Sequence, residues 1–296
     1  MENLKSSRPI PERNIYNFIK ENINGNNLYN DLREEYCNSY SDWIQSTKIN
    51  NLKGLGSFKS IQYSYGTTES FDTFNLNNIN KRLRCFRGDY IYHMLSWKKN
   101  FNWLYIEDDD IRENDAVIMS VPFSDYGDMH PQTDYVLDKC DKLGVTVFID
   151  SAYMIIARDI DFNFDRECIQ NVGFSMSKGF YGSELMQLGL RYSKEYIDDT
   201  LEIKNSSSSR NPVGMSVGLK IINKYEVDRL TNIYKQRQKQ ICEELNIVPT
   251  KCVVFGMANK NHSDFGNFNR GTDARRVCIS SLMGDMEDLI LRSKYV

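Results

Sequence analysis

The chain has 296 residues, 41% of them hydrophobic and 26% charged, with a formal net charge of −3. That is enough chain to bury a large core, and the near-neutral balance gives no electrostatic basis for binding nucleic acid or an anionic membrane. No apolar run approaches the roughly 20 residues of a membrane span, and residues 1–7 lack a signal-peptide core, so a cytoplasmic protein is expected.

Residues 1–25 form an N-terminal segment. Over residues 27–47, Leu28, Leu32, Tyr36, Tyr40 and Trp43 recur at spacings of three and four, which predicts an amphipathic helix. Short apolar runs rich in β-branched and aromatic residues follow at 60–65, 82–86, 103–106, 116–121, 145–149, 172–176 and 188–192, and each reads as a strand. Helical patterns separate several of them. The clearest covers 133–143, with Val136, Leu137, Cys140 and Leu143 on one face and Gly144 as its stop. Strands alternating with helices predict an α/β fold: three αβα layers around a mostly parallel central sheet. In such sheets ligands collect beyond the carboxyl ends of the strands.

The character changes after Lys194. A polar serine run (205–210) precedes 215–245, which reads as one long helix or a kinked pair. Short strands, an Asn/Gly/Asp-rich loop (259–273), a strand at 276–281 and a terminal helix from Asp285 complete the chain. The expected division is a large domain over 26–205, then the long helix and a small C-terminal α+β domain over 206–296.

The seven cysteines are scattered and odd in number with no Cys-x-x-Cys, so reduced thiols are expected rather than a disulfide framework or zinc site. The three histidines, His93, His130 and His262, sit far apart. Neither a metal site nor a Ser-His-Asp triad has the ligands it needs.

Two strand ends carry the chemistry. Ile149-Asp150-Ser151-Ala152-Tyr153 closes one apolar strand, and Ser175-Met176-Ser177-Lys178 closes another. A carboxylate, a phenol, two hydroxyls and an amine form the set that a pyridine-type aldehyde cofactor requires. The acid keeps the ring nitrogen protonated, the phenol meets the ring hydroxyl, the serines meet phosphate and the lysine forms the Schiff base. Each residue alone has a plainer role: a strand-end Asp caps helices, a Tyr fills core and Gly66-Thr67-Thr68 makes a turn. Their shared sheet edge and their order make the set informative.

On these residues the chain resembles the fold type I pyridoxal-phosphate enzymes, within them the aspartate and histidinol-phosphate aminotransferases. Asp31-Leu32-Arg33-Glu34-Glu35 looks like the helix that opens the cofactor domain, and Gly66-Thr67-Thr68-Glu69-Ser70 like the turn that cradles phosphate. Asp150 and Tyr153 match the Asp-x-x-Tyr pair, and Ser175-x-Ser177-Lys178 matches the lysine motif. Tyr90, in Gly88-Asp89-Tyr90, sits where an aromatic stacks on the ring, and Asn211-Pro212-Val213-Gly214 resembles the loop before the long helix. Arg276, in Arg276-Val277-Cys278-Ile279-Ser280, matches the arginine that clamps the substrate carboxylate. The resemblance implies pyridoxal 5'-phosphate as cofactor, with Lys178 as Schiff base and proton shuttle. It also implies a homodimer and transamination of an amino acid or related amine. Other reactions on the same scaffold (decarboxylation, elimination, cyclisation) and a cofactor-binding protein without turnover stand as alternatives.

Three departures modify what is implied. Where the family has an Asn for the ring hydroxyl, this chain has Pro122-Phe123-Ser124-Asp125, which puts Ser124 or Asp125 there. Where an Arg-x-Gly pattern meets the phosphate, the chain reads Gln187-Leu188-Gly189, which puts Gln187 there; Arg191 lies four residues on, roughly 13 Å along a strand, and takes the place instead if the alignment shifts across 179–185. Most of the N-terminal arm is missing, which predicts an open site or one completed by a partner. Ser206 falls where dicarboxylate-specific members have arginine, so that specificity lacks support unless Arg210 takes over.

Overall fold

The computed structural model describes residues 4–23, 31–95, 102–207 and 210–284. Helices α1 (Arg13–Asn22) and α2 (Arg33–Gln45) precede a short strand β1 (Asn51–Lys53). Strand β2 (Ser60–Tyr65) leads directly into α3 (Gly66–Asn77), then β3 (Arg82–Cys85), α4 (Ile91–Leu95), β4 (Trp103–Tyr105) and β5 (Asp115–Ser120). Next come α5 (Thr133–Leu143), β6 (Thr146–Ser151), β7 (Asp161–Asn163), β8 (Ile169–Ser175), α6 (Ser183–Met186) and β9 (Leu188–Ser193). Helices α7 (Thr200–Ser206), α8 (Pro212–Lys224) and α9 (Arg229–Glu244) follow, and then strands β10 (Val248–Pro249), β11 (Phe255–Met257) and β12 (Arg276–Cys278).

Seven strands form the central sheet in the order β2-β9-β8-β6-β5-β3-β4. From β8 to β4 neighbours run parallel, while β9 is antiparallel to both β8 and β2. All seven apolar runs anticipated from the sequence are strands of this sheet. Alternation along the strands sends Ala116, Ile118 and Phe148 to one face, where they pack with Phe71 and Phe74 of α3. Val117, Met119, Val147 and Ile149 point to the other face and join the core that contains Tyr36 and Tyr40 of α2, Leu137 of α5 and Val217 of α8. The sheet is therefore covered on both sides, as a parallel sheet requires. The second core runs on without a break into Phe255, Val277 and Cys278 of the antiparallel sheet β10-β11-β12.

Gly144 ends α5 at φ 64, a conformation that glycine adopts without a Cβ penalty. The helical stretch 215–245 divides into α8 and α9 although no proline or glycine stands at the break. Tertiary contacts hold it open: Trp43 Nε1 donates to the Tyr225 carbonyl at 2.7 Å, and Asp228 accepts from Thr47 Oγ1 and Lys48 N. Helix α1, unanticipated in the N-terminal segment, is anchored by buried Ile15 and Ile19. The strand expected over 276–281 is shorter because residues Ser280–Leu282 coil into a 3-10 turn. The start of the helix expected over 27–47 and the helix expected from Asp285 lie outside the described residues.

Candidate functional site

Register places the candidate residues on one level. Ser120 of β5 pairs with Asp150 of β6, and Asp150 pairs with Gly173 of β8. Asp150 shares strand parity with Phe148, and Ser175 shares it with Gly173, so both lie on the α3 face at the carboxyl ends of parallel strands. A side chain at Gly173 would place its Cβ 2.9 Å from Phe148 and 3.2 Å from Thr67. Its absence lets the first turn of α3 settle against β8 beside Asp150.

Asp150 is buried at 4% exposure and accepts a hydrogen bond from the Ala152 N–H at 3.1 Å. Burial, then the charge of Asp89, pushes its carboxyl up to about 7; the Ala152 N–H, Thr67 hydroxyl and Lys178 charge oppose them. Behind it lies His93, with Nε2 3.7 Å from Asp150 Oδ2. Burial lowers the His93 pKa to about 4, so the imidazole is neutral and supplies no counter-charge. The other side of Asp150 opens on a cavity of about 840 Å³. A protonated pyridine nitrogen in that cavity would give the carboxylate the close counter-charge that neutral His93 does not. By this criterion the residues fit pyridoxal phosphate.

The same cavity is lined by Gly66, Thr67, Thr68, Ser175 and Ser177. Ser177 N and Oγ lie 3.2 and 2.9 Å from Ser175 Oγ, and Gly66, at φ +69, brings the start of α3 against Ser175. Gly189 of β9 lies so close to Gly66 that a Cβ there would fall 2.6 Å from the Gly66 Cα. Two hydroxyls and the unpaired N–H groups of a helix start suit a phosphate. Gln187, left-handed at φ 53, lines this cavity too. Arg191 does not reach it: the guanidinium is buried on β9 and bound to Asp199 at 2.6 Å and Gln62 at 2.8 Å.

Lys178 stands between this cavity and a second one of about 410 Å³; Tyr90 and Tyr153 line both. Arg276, on β12, lines the second. Its guanidinium stacks over the Phe255 ring at 4.5 Å and donates to the Ser124 carbonyl. Ser124 itself stands behind that wall. Its side chain is wholly buried, its Oγ has no partner among the described residues, and it lines neither cavity; what it gives the site here is the carbonyl that meets Arg276. Asp125 is equally buried and accepts from Thr272 Oγ1 at 2.5 Å. Arg210 is engaged elsewhere, paired with Glu69 at 2.7 Å and packed over Tyr65.

The N-terminal segment is where the structure departs most from expectation. Instead of leaving the site open, it lies across it: the Ser7 carbonyl accepts from Lys178 Nζ at 3.2 Å, and Lys5, Ser6, Arg8 and Pro9 line one or other cavity. Buried Ile10 and the Glu12–Arg229 ion pair at 2.8 Å hold the segment down. Sequence reasoning also passed over Asp89, which accepts from Ser120 N and Tyr90 N, and His93, three residues after Tyr90. The three histidines stand far apart in sequence, and only the fold brings His93 within 3.7 Å of Asp150.

No protein-family model and no curated protein matches this sequence. Solved structures do match, across nearly all of the chain. An aromatic aminotransferase from Pyrococcus horikoshii OT3 is 12% identical, with a TM-score of 0.65 over 96% of this chain and 91% of that one. A PLP-bound C-S lyase from Staphylococcus hominis is 12% identical, with a TM-score of 0.69 over 99% and 90%. The histidinol-phosphate aminotransferase from Clostridium acetobutylicum is 15% identical, with a TM-score of 0.62 over 98% and 96%. The chain has the fold of the pyridoxal-phosphate-dependent transferases. At these identities the likeness extends to the fold alone. Among the described residues no cluster of His, Cys, Asp or Glu suits a metal ion, and no helix is long and apolar enough to cross a membrane.

Proposed function

We propose that this protein binds pyridoxal 5'-phosphate at Lys178 and transfers the amino group of an amino acid or related amine. The observation that carries the proposal is the position of Lys178. It stands where a cavity holding Asp150, Ser175, Ser177 and the start of α3 meets a second cavity holding Arg276. Bound there, the cofactor would supply an electron sink that stabilises negative charge at the α-carbon of the amine.

The protein's own groups have distinct tasks. Asp150 as a carboxylate would keep the proton on the ring nitrogen. Ser175, Ser177 and the amides of Gly66, Thr67 and Thr68 would bind phosphate, with Gln187 a neutral donor at its edge. The Arg276 guanidinium, pointed by the Ser124 carbonyl and the Phe255 ring, offers a planar fork that would fix the substrate carboxylate and so aim the α-hydrogen at Lys178. Lys178 Nζ, freed from the Ser7 carbonyl, would take that proton and return it. The 4–12 segment would exclude water from this transfer.

The test supplies a panel of 15N-labelled amino acids with an unlabelled keto acid. Label is expected in a new amino acid, and Lys178→Ala should abolish its transfer. Release of the label as ammonia would instead assign a lyase, and release of carbon dioxide a decarboxylase. With no label moved or released, turnover is absent.

A further inference from the structure

A second arginine faces the substrate side of Lys178. Arg270, in the loop leading into β12, lines the same cavity of about 410 Å³ as Arg276, Tyr153 and Lys178. Its Nη2 donates to the Asp89 carbonyl at 3.3 Å, while its Nη1 is buried with no partner among the described residues. Arg276, 5% exposed, is in the same condition: Nη1 is taken by the Ser124 carbonyl and Nε is buried without a partner. Among the described residues neither guanidinium has a carboxylate as hydrogen-bond partner. Asp89 is engaged by Ser120 and the Tyr90 N–H; Asp125 accepts from Thr272 through Oδ2, and its Oδ1, buried without a partner among the described residues, bonds neither guanidinium. Lys5 adds a third cation to the cavity wall.

Buried cations with unmet N–H groups are unfavourable unless something answers them. Here burial, and then the charge of Arg276, lowers the proton affinity of Arg270, and the charge of buried Asp125 only partly opposes that repulsion. A single carboxylate on Arg276 would leave the Arg270 fork unmet. Two anionic groups on one ligand would satisfy both.

We propose that Arg270 is a specificity residue that binds a second anionic group, a carboxylate or a phosphoryl group, on the side chain of the amino-acid substrate. This rests on the assignment of Lys178 and Arg276 made above. It replaces Arg210, which Glu69 has claimed, as the source of acidic-substrate preference.

The test is calorimetric titration of the full chain, with pyridoxal phosphate added, using glutarate, 3-phosphonopropionate and valerate. None carries an amine, so none can react at Lys178. At least one dianion is expected to bind about tenfold more tightly than valerate. A glutarate preference identifies a side-chain carboxylate, and a phosphonopropionate preference a phosphoryl group. Arg270→Met should erase the difference and Arg276→Met should weaken all three ligands. Arg270→Lys should keep part of the preference, and it carries the comparison if the Met variant does not fold. Equal affinities, no binding, or a preference that survives in Arg270→Met would overturn the proposal. Borohydride fixation of the cofactor on Lys178 in the same preparation reports separately on the underlying assignment. Fixation without dianion preference defeats only the role of Arg270. Dianion preference without fixation defeats the underlying assignment and leaves Arg270 an anion site.

Discussion

Replacing Asp150 by Asn should make the cofactor-free protein more stable at alkaline pH while removing its hold on the cofactor. The carboxyl is displaced from 3.8 to about 7 by burial and the charge of Asp89. Because the folded state binds this proton more tightly than the unfolded chain does, the favourable contribution is complete below pH 4 and is lost as pH rises through 7. The displacement amounts to about 4 kcal/mol in full, of which roughly 2–3 kcal/mol is lost between pH 5 and pH 8. Asparagine can still accept the Ala152 N–H but has no charge to desolvate, so the variant should escape this loss. At pH 8 its melting midpoint should exceed that of the wild type by roughly 5–10 °C, and the gap should narrow toward pH 5. Thermal melts of both proteins, stripped of cofactor, at half-unit steps from pH 5 to pH 8 make the comparison. Adding pyridoxal phosphate should reverse the order at pH 8, since only the wild type offers a carboxylate to the ring nitrogen. Equal pH slopes, or a variant that melts below the wild type at pH 8, would refute the claim that burial displaces the Asp150 carboxyl upward.

Three further outcomes follow from the same geometry. Gly189→Val should force β9 away from Gly66, whose Cα would lie 2.6 Å from the new Cβ, lowering stability by roughly 1–3 kcal/mol in urea denaturation and weakening phosphate-dependent cofactor binding. Asp199→Ala should strand the buried Arg191 guanidinium and destabilise by about 3–5 kcal/mol, whereas Arg191→Met combined with Asp199→Leu should recover much of the loss. Gln187→Arg keeps the same left-handed backbone requirement but adds a charge beside the phosphate hydroxyls, so affinity for pyridoxal phosphate should rise about tenfold in fluorescence titration, with affinity for unphosphorylated pyridoxal unchanged.

What the sequence makes legible here is whatever is encoded locally. Strand parity and apolar runs locate β5, β6 and β8, and with them the level on which Asp150 and Ser175 meet. Gly144 marks a helix end because its backbone preference is intrinsic. Which of the two readings of 215–245 holds, and where the pair divides, is not legible, since that depends on Trp43 and Thr47 reaching Tyr225 and Asp228 from a distant helix end. The same holds for the N-terminal segment. Nothing in Ser6-Ser7-Arg8-Pro9 announces a strap, and only the burial of Ile10 and the pairing of Glu12 with Arg229 bring Ser7 to Lys178. Ser124 shows the converse: a position that the resemblance offers for the ring hydroxyl, which lines neither cavity. Arg270 escaped notice because a loop arginine in an Asn/Gly-rich stretch has no periodicity to single it out.

Every role proposed for the site depends on Lys178 holding the cofactor. Incubating the purified protein with pyridoxal phosphate, reducing with borohydride and mapping the labelled peptide by mass spectrometry tests it most directly. The structure predicts one labelled site, at Lys178, with labelling diminished in Asp150→Ala and absent in Lys178→Ala. A protein that takes no label, or that takes it at surface lysines while Lys178 stays free, would contradict the assignment.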